Sequence, residues 1–186
     1  SISITWNGHS CFTVEKDGFS IVFDPYGPNT VPGLAPLSLI ADMVLCSHEH
    51  GDHGYTDAWH DPEQGALRGP NRIHILESDG LKIAHMGDIG CPLTREQKDL
   101  LKHLDAILIP VGGYYTIDAV QAKAVVDDLA PRVVIPMHYR SDHFGYPVIG
   151  RLEEFTGLCR NVVEYDSNTL VLTAETRPQT AVLKLK

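Results

Sequence analysis

The order of elements predicts a layered α/β or α+β domain in which sheet is sandwiched by helices. Three observations carry this expectation. The chain opens with short segments of alternating apolar and polar residues. Its second half alternates buried apolar runs with helical patterns. No linker, repeat or low-complexity stretch divides it, so residues 1–186 read as a single domain.

The elements follow in order. Ile2–Trp6 alternates as a half-buried strand does, and Cys11–Glu15 and Phe19–Phe23 repeat the pattern around a Lys16-Asp17-Gly18 turn. Asp24-Pro25 stops the third strand, and the Pro- and Gly-rich stretch from Tyr26 to Pro36 reads as loop. Met43–Cys46 is a short apolar strand. Ile73–Glu77 and Leu81–His85 flank Ser78-Asp79-Gly80, a second hairpin. A helix starts at Thr94 and runs to about His103, with Glu96 and Gln97 in its first turn. Ala106–Ile109 is a fully buried strand. Thr116 or Asp118 caps a helix with Ala119, Ala122, Val125, Val126 and Leu129 on one face, and Pro131 ends it. Val133–Ile135 is the next strand and Val148–Phe155 a short helix. Val162–Tyr165, Thr169–Thr173 and Ala181–Leu185 close the chain as strands.

Composition narrows the function classes. A chain of 186 residues, 43% hydrophobic, is long enough for a substantial core. The formal net charge of -9 and the lack of a Lys/Arg cluster disfavour a nucleic-acid partner. Apolar runs such as residues 106–111 are far below the roughly 20 residues a membrane span needs. No secretory signal is visible, so a cytoplasmic location is expected. Cys11, Cys46, Cys91 and Cys159 form no C-x-x-C pair and read as buried, reduced thiols.

Ten histidines set the chemistry. His48, His50, Asp52 and His53 fall within six residues, directly after the strand ending at Cys46. On an extended segment His48, His50 and Asp52 point the same way. Imidazole nitrogen and carboxylate oxygen in such a cluster suit a divalent cation, whereas surface histidines rarely gather so. Further ligands must come from the ends of other strands. Asp88 in Met86-Gly87-Asp88 and His138 in Pro136-Met137-His138 both stand where a buried strand leaves the core.

These motifs carry a resemblance. Gly8-His9-Ser10-Cys11-Phe12, Ser47-His48-Glu49-His50-Gly51-Asp52-His53, His85-Met86-Gly87-Asp88, Pro110–Thr116 and Pro136-Met137-His138-Tyr139 look like the metallo-β-lactamase superfamily. Within it the chain resembles the short bacterial branch of metal-dependent hydrolases that includes ascorbate-6-phosphate lactonase. The likeness covers most of the chain, from Ile4 to about Tyr139, and none of the motifs is specific for a substrate. It implies a four-layer αβ/βα sandwich with a binuclear metal site at one edge, between two sheets.

By the same resemblance, His48 and His50 match ligands of the first metal, and Asp52 and His53 those of the second. Asp88 matches the bridging aspartate and His138 the last ligand of the second metal. His60, in Trp59-His60-Asp61, looks like the third histidine of the first metal. Only six residues separate His53 from His60, fewer than in related proteins. His9 is expected near the metals, facing substrate or in a structural role. His85 is expected to hold a ligand or pack under the loop. His74 should face away from the core, and His103 should be a solvated helix residue. His143 lies in the loop after His138.

The expected activity is hydrolysis by a hydroxide that bridges two divalent metal ions. Zn²⁺ comes first, with Mn²⁺ or Fe²⁺ as alternatives, because no thiolate lies in the ligand motifs. Asp52, Asp88 and His138 are the candidate catalytic residues. The lactonase resemblance favours a small-molecule substrate: an ester, a lactone or a phosphorylated metabolite. The alternatives are a phosphodiesterase or nuclease of the same superfamily and a non-catalytic metal-binding or sensory protein. A homo-oligomer is compatible with the sequence.

Overall fold

In the computed structural model, residues 1–48 and 71–185 are described, and every structural statement below refers to them. Two Asp-Gly turns set the local register. Asp17 and Gly18 both take positive φ, 50° and 79°, and join β2 (Cys11–Lys16) to β3 (Phe19–Phe23). Asp79 and Gly80, at 55° and 72°, join β5 (His74–Ser78) to β6 (Leu81–His85). Positive φ at both central residues is the turn whose twist matches that of the flanking strands.

The first sheet is built from β1 (Ile2–Gly8), β2, β3, β4 (Met43–Leu45) and β10 (Thr169–Leu172), in the order β10-β1-β2-β3-β4. It is antiparallel except for the parallel pair β3 and β4. The second sheet has the order β5-β6-β7-β8-β11-β9 and adds β7 (Ala106–Pro110), β8 (Val133–Met137), β9 (Val162–Glu164) and β11 (Gln179–Val182). All its pairs after the β5–β6 hairpin are parallel. β7 and β8 are buried at every residue, as strands covered on both faces must be.

Three helices connect strands of the second sheet: α1 (Arg95–Leu100), α2 (Ala119–Leu129) and α3 (Glu153–Thr156). Thr94 and Gln97 form a capping box on α1. Asp118, not Thr116, caps α2, with Gln121 as its reciprocal partner. α1 stops three residues short of the expected end, and His103 sits beyond it at φ 61°. α3 is also shorter than the span Val148–Phe155, because the backbone there is diverted. The Ile149 amide donates to Tyr146 and the Gly150 amide to Gly112, and Arg140 bridges Arg151. No described helix is long and apolar enough to cross a membrane.

The mixed α/β architecture follows the expectation. One apolar cluster joins the inner faces of the two sheets, with Ile4, Trp6, Phe12 and Phe23 from one and Ile83, Leu108, Ile109 and Met137 from the other. Because β6, β7 and β8 run parallel, their C-terminal ends share one edge, the usual place for a ligand site in such sheets. Gly87-Asp88, Gly112-Gly113 and His138 all leave the sheet there. The His138 amide donates to the His9 carbonyl at 3.3 Å, linking this edge to the β1–β2 turn of the first sheet.

Candidate metal centre

Asp88 lies between two imidazoles. His48 Nε2 stands 3.4 Å from Asp88 Oδ2, and His138 Nε2 stands 3.4 Å from Asp88 Oδ1. All three side chains are buried. Each carboxylate oxygen therefore faces its own ring nitrogen.

A hydrogen-bond relay fixes the His48 ring. The buried Asp24 carboxylate accepts the Ser47 amide at 2.6 Å on one oxygen and the Ser47 hydroxyl at 2.5 Å on the other. Ser47 Oγ and His48 Nδ1 are 2.9 Å apart. A hydroxyl has one proton, and Asp24 takes it, so Oγ accepts from Nδ1–H. In the neutral ring the Nε2 lone pair then faces the Asp88 carboxylate, and two acceptors oppose each other. Such a pair suits a cation between them. Two donors about 2.1 Å from a tetrahedral Zn²⁺ stand about 3.4 Å apart, so the spacing at both imidazoles fits a metal ion. It is longer than the roughly 2.7–2.9 Å of a charge-assisted hydrogen bond. The donor set suits a divalent cation at either oxygen of Asp88.

Asp24 is the functional residue that sequence reasoning passed over as a strand terminator. It takes φ 48°, and its amide donates to the Leu45 carbonyl, so the parallel pairing of β3 with β4 places it under Ser47. Gly87 brings the next strand end close. A Cβ there would lie 2.5 Å from Ser47 Cβ and 2.3 Å from Asn71 Oδ1, and φ is 60°. Asn71 clamps this turn, accepting the Asp88 amide at 2.9 Å and donating to the Met86 carbonyl at 3.0 Å.

His138 is held differently. It takes φ 58° at the end of β8 and is fully buried. A Cβ on Gly112 would lie 2.1 Å from the His138 carbonyl oxygen, so bare backbone packs directly against it. The His9 ring packs on the His138 ring, with centroids 3.9 Å apart and the planes tilted 40°. His9 thus adjoins the cluster, as expected of it.

The remaining histidines separate into two groups. His85 packs beneath the site, stacked on Phe23 at 5.0 Å. Its Nδ1 accepts the Gly87 amide and its Nε2 donates to the Ser10 carbonyl at 2.9 Å, so both nitrogens are engaged. His74 does not face away from the core. Its Nε2 is 3.2 Å from the Cys46 carbonyl oxygen and its ring lies 5.7 Å from Phe23. The register explains the error: His74 pairs directly with His85, and opposite residues of an antiparallel pair share one face. His103 and His143 are exposed.

His50, Asp52, His53 and His60 lie outside the described residues. The structure therefore brings together His48, Asp88 and His138 of the expected set. Among the described residues no three His, Cys, Asp or Glu side chains converge on a single point. Cys11 is buried and its thiol is pushed well above the ordinary range by desolvation, which keeps it protonated. Cys91 is exposed rather than buried, and Cys46 and Cys159 are half-buried.

A profile of the β-lactamase superfamily domain matches residues 3–60 and 56–138. The chain belongs to this superfamily. The two matched segments meet at residues 56–60, inside the stretch whose shortness stood out in the sequence. A Thermotoga maritima protein, assigned as a Zn-dependent hydrolase of the metallo-β-lactamase superfamily, shares 30% identity with it. The match covers 100% of both chains with a TM-score of 0.79. Igni18, a metallo hydrolase from Ignicoccus hospitalis, is 25% identical over 84% of this chain and 89% of its own, with a TM-score of 0.62. A metal-dependent hydrolase of Thermococcus onnurineus is 26% identical over 218 residues, covering 88% of this chain and 94% of the relative. That alignment is longer than the 186 residues here, so the relative carries residues that this chain lacks.

Proposed function

We propose that this β-lactamase superfamily protein is a metal-dependent hydrolase that uses two divalent cations, which Asp88 would help to hold. Its substrate is a small ester, lactone or phosphorylated metabolite. The observation that carries the reading is the Asp88 carboxylate set between two buried imidazoles, with the His48 tautomer fixed so that a lone pair faces it. The metal-dependent hydrolase names of its relatives support the reaction class. Zn²⁺ is the favoured ion, since imidazole and carboxylate donors suit it and one relative is assigned as Zn-dependent.

In this reading His48 and Asp88 would hold the first cation, and Asp88 and His138 the second. His50, with His60, would complete the first position, and Asp52 and His53 the second. Bound cations would supply Lewis acidity toward water and toward the substrate's electrophilic centre. The chain's own residues prepare that chemistry. Asp24 and Ser47 keep the Nε2 lone pair of His48 directed at the site. His85 and Asn71 hold the turn that presents Asp88. The His9 ring and the bare backbone of Gly112 both pack against His138. Asp52, Asp88 and His138 are the residues proposed to act on the substrate. The charge of -9 favours a small substrate over a long nucleic acid.

A panel of lactones, aryl esters and bis-p-nitrophenyl phosphate, assayed with defined divalent metals, tests the proposal. The reading expects turnover of a lactone or ester that falls at least 100-fold in Asp88→Asn, which keeps the shape and loses the charge. Metal uptake with no turnover of any substrate favours a non-catalytic metal-binding protein. Turnover of the phosphodiester alone moves the substrate class to phosphodiesters.

A further inference from the structure

We infer that Tyr114 and Tyr115 form an aromatic platform at the entrance to the metal centre, which binds a planar ring in the part of the substrate that is not cleaved. The inference rests on the hydrolase reading above and names a substrate class for it: ring-bearing molecules rather than short linear ones.

The turn that carries these rings is tied to both strand ends of the site. Gly112 packs against the His138 carbonyl, and the Gly150 amide donates to the Gly112 carbonyl at 2.6 Å. The Ile117 amide donates to the carbonyl of Ile89, the residue after Asp88, at 2.8 Å. Within the turn the Gly113 amide donates to Ile117 and the Tyr115 amide to Gly113. Residues 112–117 therefore span from the His138 strand end to the Asp88 strand end, and their backbone is fixed.

The side chains are placed at a conformational cost. Tyr114 takes φ 64°, a region where a bulky non-glycine residue is strained. Gly113 beside it reaches φ 70° without that strain. The strain does not serve core packing, because Tyr114 is 58% exposed and Tyr115 38% exposed. Strain that keeps an aromatic ring at the surface beside a buried site points to binding.

The rings run from solvent to the buried histidine. Tyr114 and Tyr115 meet edge to face at 4.8 Å, and Tyr115 lies 6.5 Å from His138. Tyr146 backs Tyr115 at 5.6 Å and also touches His9 at 5.6 Å. Its hydroxyl donates to the Thr30 carbonyl at 3.1 Å, which fixes the backing ring. Apolar faces with a negative quadrupole stack well on an aromatic ring or on the C–H face of a cyclic sugar or lactone.

The test compares two ligands that share one anionic head, phenylphosphonate and methylphosphonate, titrated calorimetrically into metal-loaded protein. The platform predicts that phenylphosphonate binds about tenfold tighter. Tyr115→Leu, which keeps bulk without a π face, should bring the ratio to within about twofold, and Tyr115→Phe should preserve it. Tyr114→Leu, at the more exposed ring, should lower it part of the way. Equal binding of the two ligands by the wild type, a preference that survives Tyr115→Leu, or binding of neither ligand overturns the inference. Metal content of the same samples is read separately. A chain that takes up no divalent metal contradicts the hydrolase reading, whereas a ring preference that follows Tyr115 stands without it.

Discussion

His48 reaches Asp88 through a chain of side-chain hydrogen bonds, whereas His138 reaches it through backbone packing. On the first side Asp24 and Ser47 decide which ring nitrogen carries the proton. On the second side a positive φ, the bare backbone of Gly112 and the His9 ring decide where the imidazole stands. One side is set by proton placement and the other by shape. They should therefore fail in different ways.

The largest effect is expected on the side set by shape. Gly112→Ala would put a methyl 2.1 Å from the His138 carbonyl oxygen and 3.2 Å from Ile149 Cβ. Backbone cannot yield as a flexible side chain does, so the substitution should cost about 3 kcal/mol or more, at the top of the overpacking range. Urea unfolding measures this as a lowered midpoint with an unchanged slope. A loss below about 1 kcal/mol would mean that the close approach does not constrain His138.

A smaller effect on stability, but a specific one on metal, is expected on the other side. Asp24→Asn keeps the shape and replaces an acceptor oxygen with an NH₂ donor. If that donor faces Ser47 Oγ, the hydroxyl proton turns toward His48, and Nδ1 becomes the acceptor. Nε2 then carries the proton and cannot ligate. Fold stability should fall by about 1–3 kcal/mol, and affinity at the His48 position by roughly 10–100-fold, with the His138 position retained. Nitrogen chemical shifts of the His48 ring report the tautomer directly. Persistence of Nδ1–H in the variant would break the proposed difference between the two sides. Ser47→Ala removes the relay without reversing it and should weaken the same position by about tenfold, the smallest of the three effects.

Features that depend on local chemistry were legible in the sequence. The two Asp-Gly turns, the Thr94 cap of α1 and the buried runs of β7 and β8 follow from φ preferences, side-chain acceptors and apolar runs. So did the positions of Asp88 and His138 at strand ends. Features that depend on pairing were not. Asp24 reads as a strand terminator until β3 is known to lie beside β4. His74 alternates with Ile73 and Ile75, which suggests an outward side chain, until its pairing with His85 puts it on the inner face. The Tyr114–Tyr115 turn shares this character, since its meaning comes from Ile89 and His138, which are distant in sequence.

The central claim is that Asp88 serves two cations. Elemental analysis of the wild type purified without added metal, then again after exposure to Zn²⁺ and desalting, measures it, with Asp88→Ala treated in parallel. The account predicts two ions per chain in the exposed wild type and at most one in the variant, because losing the shared carboxylate removes a ligand from both positions. Two ions retained in Asp88→Ala, or none taken up by the wild type, would contradict it.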